Sequence, residues 1–151
     1  MLWFMNRLIN PWVRLVLKSP LHGMLSGSML IFIYQGRKSG REYQLPAQYV
    51  QDGKLIYIVP GAPDKKTWWR NFSSSQPVRL VLQGQAAAGQ AELLRGEAHQ
   101  DDILQALALY LRHFPPSAAI YKVRTQPDGS FDAEDLRQAA RSIIIVRVKI
   151  D

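Results

Sequence analysis

The stretch Ile33-Tyr34-Gln35-Gly36-Arg37-Lys38-Ser39-Gly40-Arg41 sets a basic, glycine-bracketed turn between two runs of strand character. A link this short joins antiparallel neighbours, because a parallel crossover needs about a dozen residues or more. The pattern then recurs. Asp52-Gly53, a strong hairpin signal, separates residues 42–51 from the apolar run 54–59. Pro77 opens a further strand through Val78, Leu80 and Leu82, and Gln83-Gly84-Gln85 turns it into a less apolar strand over 86–96. With Met29 to Tyr34 as the first strand and 142–150 as a closing one, the count is about six. Hairpins at such short spacing favour an antiparallel barrel of the α+β kind over a doubly wound parallel sheet.

Helices fall between and around these strands. Pro60-Gly61-Ala62-Pro63 breaks the sheet, and Asp64 suits the N-cap of a short helix whose Trp68, Trp69 and Phe72 would close one barrel end. Ile103, Leu104, Leu107, Ala108 and Leu111 recur at helical spacing over 101–113, with Pro115-Pro116 as a stop. A short helix is read over 133–140, after the turn Pro127-Asp128-Gly129-Ser130. The leading segment, residues 1–17, mixes Trp3, Phe4 and Trp12 with Arg7 and Arg14 and reads as an amphipathic helix interrupted by Pro11. It contains no unbroken apolar run of the ~20 residues a span requires. Two readings stand for it: packing on its own barrel, or peripheral contact with a membrane surface. The organisation expected is therefore a helix and connector over 1–28 and a barrel over 29–151, a single domain overall, with a cytoplasmic, membrane-peripheral address.

Composition narrows the chemistry. The chain has no cysteine, which removes disulfides, thiol nucleophiles and thiolate metal sites. Its three histidines, His22, His99 and His113, are not spaced to share a metal ion, so no metal site is expected. Ser26-Gly27-Ser28 precedes a strand where a nucleophile elbow would follow one. If this is an enzyme, a bound cofactor carries the reaction and the protein supplies anchoring and electrostatics. A formal charge of +7 suits anionic partners. Nucleic acid is set aside, since the basic residues are scattered and no aromatic platform interleaves them. The turn at Gly36–Gly40 keeps two readings, an anion cradle with Arg37, Lys38, Ser39 and Arg41 as donors, or a hairpin tip kept soluble by charge.

The ordered series Gly36-Arg37-Lys38-Ser39-Gly40, Pro46, Tyr49, Asp52-Gly53, Trp68-Trp69-Arg70-Asn71-Phe72 and Pro77-Val78 resembles the deazaflavin-dependent nitroreductase family, over about residues 15–97. That family has a split β-barrel fold related to the pyridoxamine-phosphate-oxidase-like flavoproteins. The resemblance implies coenzyme F-420, a deazaflavin with a phosphodiester and an oligoglutamate tail, and hydride transfer to a nitro compound, quinone or enone. It implies that Arg37, Lys38 and Ser39, with Arg41 nearby, hold the phosphate and tail. Pro46, Ala47, Gln48 and Tyr49 would then neighbour the ring or ribityl chain, and Trp68 and Asn71 would give an aromatic wall and a polar anchor. Core packing is the other reading of Trp68. Family members usually follow the third strand with a Ser-Lys-Gly-Gly-like phosphate loop. Here Val59-Pro60-Gly61 stands in that place, Pro60 lacks an amide donor, and Lys65 and Lys66 supply charge. Tyr110 and Tyr121 lie where relatives vary; the resemblance implies a tyrosine over the substrate in this region, without assigning it to either, and a core tyrosine with a satisfied hydroxyl is the other and favoured reading of each. Such barrels often pair into homodimers. Two alternatives accompany this reading: an FMN-binding split-barrel flavoprotein, and a module that binds cofactor or membrane surface without turnover.

Overall fold

The computed structural model describes residues 29–60 and 67–151. The expected leading helix and its membrane contact, and the loop residues Gly61, Asp64, Lys65 and Lys66, lie outside the described residues. Six strands follow one another: β1 (Met29–Gln35), β2 (Glu42–Asp52), β3 (Leu55–Ile58), β4 (Gln76–Leu82), β5 (Gln85–Leu94) and β6 (Ile145–Ile150). They close in the order β1-β2-β3-β6-β5-β4, every pairing antiparallel. The α+β antiparallel barrel read from the sequence is the observed fold. A 3₁₀ turn (Trp68–Phe72) precedes β4, and helices α1 (Gln100–His113), α2 (Ser117–Ile120) and α3 (Ala133–Ala140) lie between β5 and β6.

Alternation sorts the strands into two cores. Leu30, Phe32 and Tyr34 of β1, Ala47 and Tyr49 of β2, Leu80 of β4 and Val146 and Val148 of β6 point into the barrel, where Trp69 and Phe72 join them. Val50, Tyr57, Leu94 and Ile145 point outward beneath Ile103, Leu107 and Leu111 of α1 and Ala139 and Ala140 of α3. Ion pairing fastens α1 to this outer layer: Arg147 of β6 bonds its register partner Glu92 of β5 and, at 3.2 Å, Asp102 of α1. Helix α3 starts at Asp132, whose carboxylate accepts the Asp135 amide hydrogen at 2.9 Å.

One feature of the register positions everything that follows. Residues Glu42 to Gln48 of β2 pair with β1, and residues Tyr49 to Asp52 pair with β3, with no residue bonded to both. Strand β3 ends at Ile58, opposite Tyr49. The first half of β2 therefore runs past the end of β3 with no described strand on that side, and the barrel wall opens into a wedge there. Pro46 is compatible with this position because a residue without an amide hydrogen is tolerated on a strand flanked on one side.

Several boundaries differ from expectation. The third strand stops one residue before Val59, which continues with Pro60 as buried, non-strand backbone. The closing strand begins at Ile145 instead of residue 142, because α3 ends at Ala140 and the chain must cross back over the barrel. The single turn α2 was not anticipated, since Pro115-Pro116 reads as a stop and does not reveal that Pro116 is an N-cap. Inside the sheet, Gly89 lies between Val78 and Ile150, where an added Cβ would come within 2.4 Å of the Lys149 carbonyl oxygen. Gly89→Ala is expected to destabilise the fold by about 1–3 kcal/mol, read as a lower urea midpoint at unchanged slope.

Candidate functional site

The basic turn is built from its own hydrogen bonds. Gly36 N–H donates to the Arg41 carbonyl and Gly40 N–H to the Gly36 carbonyl, each at 2.8 Å, and Gly40 takes φ +68°, which glycine adopts without strain. Gly36 has no room for a side chain: a Cβ would meet Ser39 Oγ and Tyr43 Cε2 at 2.8 Å. Arg41 N–H donates to Ser39 Oγ at 3.2 Å, and Ser39 Oγ shares a hydrogen with Tyr43 Oη at 3.1 Å. Arg37 N–H donates to Asn71 Oδ1 at 2.8 Å, while Asn71 Nδ2 donates to the Trp68 carbonyl at 2.7 Å. Asn71 thus clamps the basic turn to the 3₁₀ turn, and its own carbonyl receives Gln76 Nε2 from the start of β4.

Between these two turns lies a cleft of about 400 Å³, lined by Arg37, Lys38, Ser39, Arg70, Tyr34 and Tyr43 together with Gly36, Thr67, Trp68 and Asn71. No carboxylate is among them. Within the turn the amides of Gly36, Arg37, Gly40 and Arg41 are hydrogen-bonded inside the protein itself. Charge for an anion comes from exposed side chains, the guanidinium groups of Arg37 and Arg70 and the Lys38 ammonium. Arg41, expected beside them, is exposed and lines no cleft.

The wedge between β2 and the end of β3 holds a second cleft of about 680 Å³. Pro46, Ala47 and Gln48 line one side and Val59 and Pro60 another, with Leu45 and Ile58 at the barrel mouth. Tyr110 of α1 and Ser117, Ile120 and Tyr121 of the α2 segment complete it. Both volumes fall within the ~300–1,000 Å³ of small-molecule sites. Tyr110 Oη donates to Gln48 Oε1 at 2.9 Å, so its hydroxyl is satisfied as expected, yet the residue also forms part of the cleft wall. Tyr49 differs from expectation. It pairs with Ile58, where β2 is already flanked by β3, and it is buried in the barrel core away from both clefts.

Trp68 belongs to both clefts. Its indole packs on Phe32, Tyr34 and Phe72 with ring centroids 5.8, 6.3 and 6.2 Å away, so it is packed on the core while it lines the clefts. Sequence reasoning did not single out Tyr34, Tyr43, Thr67, Arg70, Ser117 or Ile120. Tyr43 and Ile120 carry the one available signal, a large apolar side chain left exposed beside a turn or stop. Among the described residues, no group of His, Asp and Glu converges in a way that could hold a metal ion, and no helix is long and apolar enough to cross a membrane.

No protein-family model matches this chain, and no curated protein sequence does. Solved structures do match. One is described as an F420-H2-dependent reductase, FDR-A; it aligns with a TM-score of 0.54 at 20% identity over 80% of this chain and 93% of that one. Another, described as a domain-swapped dimer, aligns with a TM-score of 0.56 at 18% identity over 91% of this chain and 97% of the other. A protein of unknown function from Agrobacterium tumefaciens str. C58 aligns with a TM-score of 0.53 at 12% identity, with 89% and 56% of the two chains covered. At these identities the likeness is one of fold.

Two outcomes follow from the site's construction. Asn71→Leu keeps the side-chain volume but orphans the Arg37 amide and the Trp68 carbonyl; a loss of about 2 kcal/mol is expected, measured by denaturant unfolding. Tyr34, Tyr57, Tyr110 and Tyr121 are each held above the ordinary tyrosine value of 10.0, in every case chiefly by burial. Above pH 10.0 the unfolded chain releases these protons while the folded chain keeps them, so the folded state binds more protons and stability falls with rising pH. Calorimetry is expected to show this contribution intact below pH 10 and lost progressively above it.

Proposed function

We propose that this chain is an oxidoreductase that binds the deazaflavin coenzyme F-420 and passes hydride between it and a small activated acceptor, a nitro compound, quinone or enone. One observation carries the reading: a cationic cleft and a largely apolar wedge meet at a single indole, Trp68. A planar ring joined to an anionic tail matches that pair of compartments, and neither feature alone would ask for it. A protein of the same fold described as an F420-H2-dependent reductase adds support.

The residues present fit the group. Arg37, Lys38 and Arg70 would meet the phosphodiester and glutamate carboxylates by charge. Pro46, Ala47 and Gln48, on the half of β2 that β3 does not flank, and Val59 beyond the end of β3 would flank the ring, and alternate β2 residues there turn main-chain groups toward the wedge. When bound, the coenzyme supplies the hydride-carrying ring carbon. The chain's own residues bind, orient and exclude water. Trp68 and Tyr121 wall the wedge, and the Tyr110 hydroxyl, protonated at neutral pH, donates to Gln48. A homodimer belongs to the same proposal, supported by the fold neighbour described as a domain-swapped dimer.

FMN, a ring with a single phosphate, is the competing ligand and the control. Absorbance titration of the purified chain with F-420 and with FMN is expected to give micromolar binding of F-420. The paired variant Arg37→Ala, Lys38→Ala should weaken it about tenfold or more, with the difference shrinking at high salt. Binding of FMN alone would move the proposal to a flavoprotein; binding of neither would overturn it.

A further inference from the structure

We infer that Tyr110 is a positioning residue: by engaging the Gln48 carbonyl it turns the Gln48 side-chain amide nitrogen into the wedge, which then selects a ring presenting a hydrogen-bond acceptor at its edge. The inference rests on the reading that a planar cofactor ring occupies the wedge. Gln48 is the last β2 residue paired with β1, at the point where the barrel wall opens. Its Oε1 accepts the Tyr110 hydroxyl hydrogen at 2.9 Å, and its Nε2 has no hydrogen-bond partner among the described residues.

The hydroxyl has one hydrogen to give, and Gln48 takes it. Ser117 stands beside the same residues in the wall of the wedge. The donor direction therefore runs from Tyr110 to Gln48, whose amide hydrogens remain for the wedge. Tyr110 itself is buried and held by Phe114 and Tyr121, with ring centroids 5.0 and 6.5 Å away. Its hydroxyl is thus committed to Gln48, and Gln48 Nε2 is the group left for a ligand. Flavin and deazaflavin rings carry carbonyl oxygens on one edge, the chemistry this donor would recognise.

The test is a fluorescence titration of F-420 and FMN against the wild type and four variants: Tyr110→Phe, Gln48→Met, the two combined, and Gln48→Glu. Tyr110→Phe keeps the ring packed on Phe114 and Tyr121 and is expected to weaken binding of the preferred ring about tenfold. Gln48→Met should cost about the same, and the combined variant no more than Gln48→Met alone, because Tyr110 acts through Gln48. Gln48→Glu should be the weakest of the single variants, since a carboxylate held by Tyr110 would present an acceptor to an acceptor. A purely structural role for Tyr110 would lower the melting temperature and leave affinity unchanged. Binding by Tyr110→Phe within about twofold of wild type, or additive losses in the combined variant, would overturn this inference while leaving the proposed function standing. A wild type that binds neither ring would overturn both.

Discussion

Strand β2 bonds to β1 through Gln48 and to β3 from Tyr49 onward, and the rest of the molecule is arranged around that change of partner. A barrel needs every strand flanked on two sides, yet here one strand is flanked on alternate sides over its two halves. The circuit still closes. What it leaves is a wedge in the wall, floored by core residues such as Leu45, Ala47 and Ile58 and roofed by the α1 and α2 segments. The packing that stabilises the barrel and the opening in its wall thus arise from one register.

The second organising element is Asn71. Its side chain and carbonyl together satisfy groups on the basic turn, the 3₁₀ turn and the start of β4. Because the same residue fixes Arg37 and the Trp68 carbonyl, the cationic cleft and the indole that borders it keep a constant relation. The aromatic cluster of Phe32, Tyr34, Trp68 and Phe72 backs that relation from below. On the proposed reading, the tail site and the ring site are held in register by one amide side chain.

Much of this was legible in the sequence, because hairpin signals and helical periodicity are local. The strand count, the helices at α1 and α3 and the basic turn all follow from patterns within about ten residues. The failures are equally physical. The G-R-K-S-G turn announces an anion cradle, but whether its amides are free depends on Asn71, 34 residues away from Arg37. Ala47 and Tyr49 share the barrel face of β2, and the change of partner after Gln48 separates them, Ala47 lining the wedge and Tyr49 lying opposite Ile58 in the core. Tyr110 meets Gln48 across 62 residues, a pairing no local pattern encodes. Pro46 was the available hint, since proline within a strand marks a side without a ladder.

The two ends of the site are built of different material. At one end the turn has spent four of its amides internally, those of Gly36, Arg37, Gly40 and Arg41, and offers long cations on flexible stems, which read charge more than shape. At the other, a strand backbone and a tethered amide stand at fixed positions. A ligand's head would accordingly be held to strict tolerances while its tail enjoyed latitude in length and chemistry. On the proposed reading, evolution would be free to exchange one anionic appendage for another without rebuilding the chamber beside the strand.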